Sequence, residues 1–195
     1  MFTGIISVLG TVEKREGARL SIGAKIKRPA LGASIAINGV CLTVVRTNGK
    51  KHEFEVGPET WSRTSLGALT NGSNVNVETS LRIGDEVGGH FVSGHVDASA
   101  KILAFAPWDK EFWRLRVELP KPLRGLLAEK GSVAIDGVSL TVTKTAPAWF
   151  EIMLVPHTLK NTTLGSRKAG DQVNLEADPL ARYALAAASA LRTSR

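Results

Sequence analysis

Cysteine occurs once in this chain, at Cys41, so no disulfide can close within it and no thiolate cluster can hold a metal. A reducing compartment suits such a sequence. Aromatic residues make up only 6% of it, and no strand is expected to interleave them with Lys or Arg as a stacking platform for nucleic acid would. No apolar run reaches the roughly 18 residues of a membrane-spanning helix. The opening MFTGIISVLG also lacks a basic stretch ahead of an apolar one. The expectation is a soluble cytoplasmic protein with no membrane association. A Gly-x-Ser-x-Gly elbow, a phosphate-cradling Walker loop and a dinucleotide glycine fingerprint are missing too. The 25 Lys and Arg against 18 Asp and Glu give a formal charge of +7, which raises nucleic acid, anionic membrane or an anionic ligand as partners. These basic residues are scattered, which favours an ordinary solvated surface and no nucleic-acid partner.

What the chain does have is a duplication. Residues 34 to 78 return at an offset of about 98, with roughly 19 of 45 positions identical. SIAINGVCLTVV around Gly39 matches SVAIDGVSLTVT around Gly137. Downstream, Pro58, Thr60, Thr64, Leu66, Gly67, Gly72, Val75, Asn76 and Glu78 meet Pro156, Thr158, Thr162, Leu164, Gly165, Gly170, Val173, Asn174 and Glu176. Upstream the offset falls to about 90, where the Thr-Gly of FTGII meets the Ser-Gly of FVSGHV. A period this long implies two complete domains, since solenoid repeats are usually about 20 to 50 residues. We therefore expect one domain over 1–88, a second over 89–178, and an appendage over 179–195.

The repeated segments alternate with a period of two and are rich in β-branched residues, the pattern of strands. Ser34, Ala36, Cys41 and Thr43 fall on one face, and Ile35, Ile37, Val40, Leu42 and Val44 on the other. Asn38-Gly39 and Asp136-Gly137 are hairpin signals, because Asn, Asp and Gly tolerate the positive φ of tight turns. Further strands are expected near 5–14, 51–57, 74–79, 92–105, 111–118, 148–155 and 172–177. The fold class that follows is all-β: two similar closed barrels. Short helices are expected from Pro58 and Pro156, and another over Pro120 to Glu129. After Asp178-Pro179, with Asp as cap and Pro in the first turn, a longer helix is expected with Leu180, Tyr183, Ala184, Ala187 and Leu191 on one face. It either covers its own barrel or packs against other copies of the chain.

Two copies imply two related pockets, so positions that break the symmetry are informative. Cys41 faces Ser139, Ile5 faces His95, Gly32 faces Lys130 and Ser80 faces Asp178. Thr43 and Thr141 follow Cys41 and Ser139 by two positions and so share their face. Turned into a small barrel, these polar groups would need partners. Such residues also suit strands with their hydroxyls on nearby backbone, but the same pair beside both Asx-Gly turns favours a ligand floor. His95 belongs to GGHFVSGH, whose glycines allow close backbone approach to a planar ligand. His90, in the same run, is read with it as a hydrogen-bonded structural residue when taken alone, and the pair lacks a third ligand at any familiar metal spacing.

MFTGI at the start, NGVCLTV at 38–44, GGHFVSGH at 88–95, DGVSLTV at 136–142, TTLG at 162–165 and VNLEADP at 173–179 together resemble the riboflavin synthase alpha chain family. The resemblance implies two six-stranded antiparallel barrels and a C-terminal α-helix through which three chains form a homotrimer. It implies a transferase that converts two molecules of 6,7-dimethyl-8-(1-D-ribityl)lumazine into riboflavin and 5-amino-6-(D-ribitylamino)uracil by moving a four-carbon unit. No cofactor and no metal are used. In the family, each active site is shared by the first barrel of one chain and the second barrel of a neighbour.

By motif position, the resemblance places one substrate near Cys41, Leu42, Thr43, Glu55, Val56, Gly57, Pro58, Glu59 and Thr60, with Gly94, His95 and Val96. The other falls near Lys130, Ser139, Leu140, Thr141, Met153, Leu154, Val155, Pro156, His157 and Thr158, with Gly4, Ile5 and Ile6. Ser34, Phe2 and Asp178 also match functional positions. The substrate's 7-methyl protons are acidic because the ring delocalises the carbanion, and His95 is a candidate to move one, since imidazole is the side-chain type suited to proton transfer near neutrality. Cys41 is a candidate nucleophile or ring contact, Ser139 and Thr141 would orient the second ring, and Asp178 would steady a cationic or hydroxyl group. The chain departs from the family at His157, where an acidic residue is common. Two other readings are a non-catalytic lumazine- or flavin-binding relative, against which the retention of Cys41, Ser139, His95 and Asp178 speaks, and a basic small-barrel protein that binds nucleic acid.

Overall fold

The computed structural model describes residues 1–26 and 29–193; positions 194–195 of the expected appendage lie outside them. Six strands, β1 (Val8–Glu16), β2 (Arg19–Gly23), β3 (Ser34–Ile37), β4 (Val40–Asn48), β5 (Lys51–Glu55) and β6 (Asn74–Thr79), close in the order β1-β2-β5-β4-β3-β6. The second set is β7 (Ala98–Pro107), β8 (Trp113–Glu118), β9 (Ser132–Ile135), β10 (Val138–Ala146), β11 (Trp149–Leu154) and β12 (Gln172–Ala177). Started from β7, it runs through the same circuit, and every pairing in both barrels is antiparallel. Closure removes the unpaired edges that an open sheet would expose.

The turn chemistry works as the sequence leads one to expect. Asn38 and Gly39 take φ 45 and 78, and Asp136 and Gly137 take φ 45 and 79, the doubly positive pattern of a two-residue hairpin. Ile35, Ile37, Val40, Leu42, Val44 and Phe54 fill the first barrel, and Val133, Ile135, Val138, Val142, Phe150 and Ile152 the second. Each long hairpin carries an irregularity at the matching place, after Val44 in β4 and after Val142 in β10, and such bulges sharpen the bend that a small barrel needs.

Three expectations need correction. The strands expected from positions 5 and 92 begin only at Val8 and Ala98, because the segments ahead of them leave their own barrels and bridge to each other at Phe2 and Val92. Strand β2 was not foreseen, since its five residues Arg-Leu-Ser-Ile-Gly carry only two large apolar side chains. Pro120 to Glu129 is no helix: one turn at Lys121–Leu123 is all that forms, and Gly125 at φ 82 stops any continuation.

The barrels meet across a polar seam with near two-fold symmetry. Asn76 Nδ2 donates to the carbonyl of Asp136 at 2.9 Å, and Asn174 Nδ2 to that of Asn38 at 2.8 Å. The Oδ1 of Asn76 accepts from Thr163 N–H, and that of Asn174 from Ser65 N–H. Both asparagines are almost fully buried, and every one of these bonds crosses from one barrel to the other. Gly39 and Gly137 touch here: a Cβ on either would come within 2.7 Å of the other's backbone nitrogen.

Three α-helices are present among the described residues: α1 (Pro58–Arg63), α2 (Pro156–Asn161) and α3 (Pro179–Thr193). Asp178 Oδ1 accepts the Leu180 N–H at 2.9 Å, the cap the sequence suggests. Leu180 and Tyr183 are 66% and 73% exposed, so the apolar stripe of α3 does not cover its own barrel. Arg182 ties the helix to Asp97 at 2.7 Å. No helix of the described residues is long and apolar enough to cross a membrane.

Candidate functional site

The two N-terminal heads are exchanged between barrels. Gly4, from the first copy, accepts the N–H of Ser139 on β10 through its carbonyl at 2.8 Å, while Gly94, from the second copy, accepts the N–H of Cys41 on β4 at 2.9 Å. A Cβ on Gly4 would lie 2.6 Å from that of Ser139, and one on Gly94 2.6 Å from that of Cys41. Only glycine permits this approach, and both adopt positive φ, 76 and 81. Ile6 packs on the core of the second barrel and Val96 on that of the first. The motif residues Gly4, Ile5 and Ile6 are thus brought to Ser139, and Gly94, His95 and Val96 to Cys41, as two equivalent half-sites.

Register assembles the rest. Thr43 pairs with Ser34, and Val44 with Phe54, so Glu55 comes level with Thr43 and leads into Gly57 and Pro58 at the start of α1. In the second copy Val142 pairs with Ile152, which sets Met153 level with Thr141 and leads into Pro156, His157 and Thr158 in α2. Helix dipoles this short carry little, but each first turn offers free N–H groups beside its half-site.

One expectation fails here. The interiors are filled with apolar side chains, and Cys41, Thr43, Ser139 and Thr141 point outward instead; both threonines are exposed and Cys41 and Ser139 are half-buried. A six-stranded barrel has room for its own core and no more. The half-sites therefore lie on outer walls, not inside the barrels. For the same reason the side chains of Leu42, Val56 and Leu154 sit in the cores and Leu140 packs against one, so these four side chains are turned away from the outer walls. Phe2 is fully buried between the barrels with Ala36, Val92, Ala134 and Cys41, a wedge behind the first half-site.

The half-sites differ in chemistry. His90 Nδ1 lies 2.6 Å from Ser139 Oγ, and burial holds its imidazole below the ordinary range, with the negative charge of Asp178 opposing. A neutral imidazole beside a hydroxyl can take its proton, the direction depending on the tautomer. Lys130 holds φ 66 where Gly32 holds 82, a left-handed conformation that is strained for a side-chain-bearing residue. On the first barrel, a cavity of about 560 Å³ opens beside Ser34, Lys25, Thr79, Ser80 and Arg82, and Ser80 Oγ donates to the Ser34 carbonyl at 2.7 Å. Its counterpart Asp178 caps α3 near His90.

Sequence reasoning missed the pairing of His90 with Ser139, whose partners are 49 residues apart in the chain. It also missed Glu78 and Glu176, 5% and 3% exposed; their signal was a carboxylate at the same place in both copies, inside an otherwise apolar strand. Among the described residues no three His, Cys, Asp or Glu side chains gather in a metal-binding group. Aromatic and basic residues do meet on the outer wall of the second barrel, though between segments and not along one strand: Arg114 stacks over Trp108 and Arg116 over Trp149 at 4.1 Å. Both guanidiniums are also engaged by Glu151, so that wall is internally paired.

Comparison with known proteins places the chain in a family. The chain matches the lumazine binding domain family over residues 3–80 and 93–178. It is 43% identical to the riboflavin synthase of Brucella abortus (strain 2308) over 195 aligned residues, covering 94% of this chain and 96% of that one. It is 44% identical to the riboflavin synthase of Mycobacterium tuberculosis (strain ATCC 25618 / H37Rv), with the same coverage, and 38% to that of Bacillus subtilis (strain 168), covering 94% and 87%. Among solved structures, LumP complexed with riboflavin superposes with a TM-score of 0.81 at 23% identity, covering 91% of this chain and 99% of that one. LumP complexed with 6,7-dimethyl-8-(1'-D-ribityl) lumazine gives 0.78 at 22% identity, with the same coverage; these likenesses establish the fold. With two matched domains and relatives aligned almost end to end, this chain belongs to the lumazine-binding riboflavin synthase family.

Proposed function

We propose that this protein is a riboflavin synthase, a transferase that moves a four-carbon unit between two molecules of 6,7-dimethyl-8-ribityllumazine and releases riboflavin and 5-amino-6-(D-ribitylamino)uracil. The observation that carries this reading is the pair of equivalent but unlike half-sites. Gly94 and Cys41 form one, Gly4 and Ser139 with His90 the other. A reaction between two identical molecules in unlike roles needs related pockets with different chemistry. Holding both substrates in reacting geometry can supply roughly 7 to 11 kcal/mol of barrier lowering, so positioning carries much of the catalysis.

In this reading Thr43, Glu55 to Thr60, His95 and Val96 hold one ring against the outer wall of the first barrel, and Ser34 extends the site toward its cavity. Lys130, Thr141, Met153 to Thr158, Ile5 and Ile6 hold the other. His95 moves a 7-methyl proton, and Ser139, polarised by His90, orients or activates the second ring. Phe2 acts from behind, and Asp178 acts through the His90 environment. The high exposure of Ile5, Thr43 and Thr141 favours a site closed by another chain, so the first barrel of one chain would face the second barrel of its neighbour in a homotrimer held by α3. Cytoplasmic location completes the proposal.

The test is direct. Purified protein incubated with the ribityllumazine, without metal or nucleotide, should generate riboflavin fluorescence with one riboflavin per two substrates consumed. Binding without turnover would instead favour the non-catalytic relative.

A further inference from the structure

Two carboxylates outside the half-sites hold the exchanged heads. Glu78, on β6 of the first barrel, accepts the Thr3 N–H at 2.7 Å and the Thr3 hydroxyl at 3.0 Å through Oε1, and the Gly4 N–H at 3.1 Å through Oε2. Glu176, on β12 of the second barrel, repeats the pattern with Ser93 N–H at 2.6 Å, the Ser93 hydroxyl at 2.6 Å and the Gly94 N–H at 3.0 Å. Both lie at least nine-tenths buried. Burying a carboxylate is costly unless its oxygens are well satisfied, and burial does raise Glu78 above its ordinary value, against the lowering influence of the Thr3 and Gly4 N–H groups.

The heads then pass to the opposite barrel. Gly4 is fixed through its N–H by Glu78 of the first barrel and through its carbonyl by Ser139 of the second; Gly94 is fixed through its N–H by Glu176 of the second barrel and through its carbonyl by Cys41 of the first. One glycine thus joins each carboxylate to the barrel wall across the seam. We propose that Glu78 and Glu176 are crossed positioning residues: the glutamate of each barrel sets the geometry of the half-site on the other. This rests on the functional reading above.

A glutamate that merely stabilises its own barrel would, when altered, weaken its own half-site or both alike. Crossed positioning demands the reverse pattern. The experiment uses the full chain and its product riboflavin as probe, with amide NMR reading the two walls separately, through residues 41–43 and 139–141. For Glu78→Gln the riboflavin midpoint read at 139–141 should rise about tenfold while that at 41–43 stays within about twofold; Glu176→Gln should do the opposite. Thr3→Val, which removes only the hydroxyl bond to Glu78, and Ser93→Ala, which removes the bond to Glu176 together with the one the Ser93 hydroxyl accepts from His95 N–H at 3.3 Å, should give the same crossed pattern at about threefold and guard against loss of folding, followed by thermal unfolding; the Thr3 variant is the clean arm. Equal weakening at both walls, weakening on the glutamate's own barrel, or no change in either variant overturns the proposal. If riboflavin titrates only one wall of the unaltered protein, the glutamate of the opposite barrel must be the one that weakens it. If it perturbs neither wall, the functional reading itself fails and this inference falls with it.

Discussion

The Nδ1 of His90 stands 2.6 Å from the Oγ of Ser139, joining the glycine-rich run before the second barrel to the outer face of β10. Because burial depresses the folded-state pKa of His90 below its ordinary 6.5, its contribution to stability is fully present above pH 6.5 and is lost as pH falls through the folded value. Burial moves Glu78 and Asp136 the other way, so both gain relative stability on acidification and oppose the trend. Comparison with His90→Gln cancels their contribution. The variant should lose less stability than the parent between about pH 7 and pH 5 in urea unfolding, and its turnover should fall about a hundredfold if the imidazole takes the Ser139 proton.

His95 occupies the place of Ile5 in the duplicated pattern and is exposed beside the first half-site. His95→Gln should slow turnover far more than it weakens ribityllumazine binding, since a proton-transfer group acts in the transition state. Comparable losses in kcat and in equilibrium affinity, measured by fluorescence titration, would remove His95 from the role of base.

Asp136 and Arg167 form an ion pair at 2.6 Å, with the carboxylate wholly buried in the seam. Their counterparts are Asn38 and Leu69, an uncharged solution to the same packing problem. Arg167→Leu alone should cost about 3 kcal/mol in urea unfolding because it leaves a buried carboxylate unpaired. Adding Asp136→Asn, which reproduces the first copy, should recover most of that loss; a double variant as unstable as the single one contradicts this account.

The exposed stripe of α3 predicts association. Tyr183→Glu together with Leu180→Glu places two charges on residues that are 73% and 66% exposed within the chain, where folding should be little affected. Light scattering should report three chains per particle for the parent, as the proposed homotrimer requires, and one for this variant. An unchanged mass would exclude α3 as the contact between chains.

Duplication, strand alternation and both Asx-Gly hairpins were written in the linear order, because each depends on neighbours or on a period that counting can find. The apolar faces of β3 and β4, Ile35 and Ile37 with Val40, Leu42 and Val44, also named the barrel core; the error lay in turning Cys41 and Thr43 inward with them, when alternation requires the opposite face to look out. The motifs of the heads were visible as well, Thr-Gly and Ser-Gly at matching places.

Their destinations were not. Gly4 meets Ser139 and Gly94 meets Cys41 across gaps of 135 and 53 positions, and no local periodicity encodes a partner that far away. His90 could be read only as a lone histidine until folding set it against Ser139, and Glu78 and Glu176 only as misplaced charges until the exchanged heads supplied their donors. The sequence alone determined that there are two barrels and which few residues make them unlike. Tertiary structure decided which head serves which wall, because that choice is made by steric fit at glycines and by buried hydrogen bonds, which exist only once distant segments have packed.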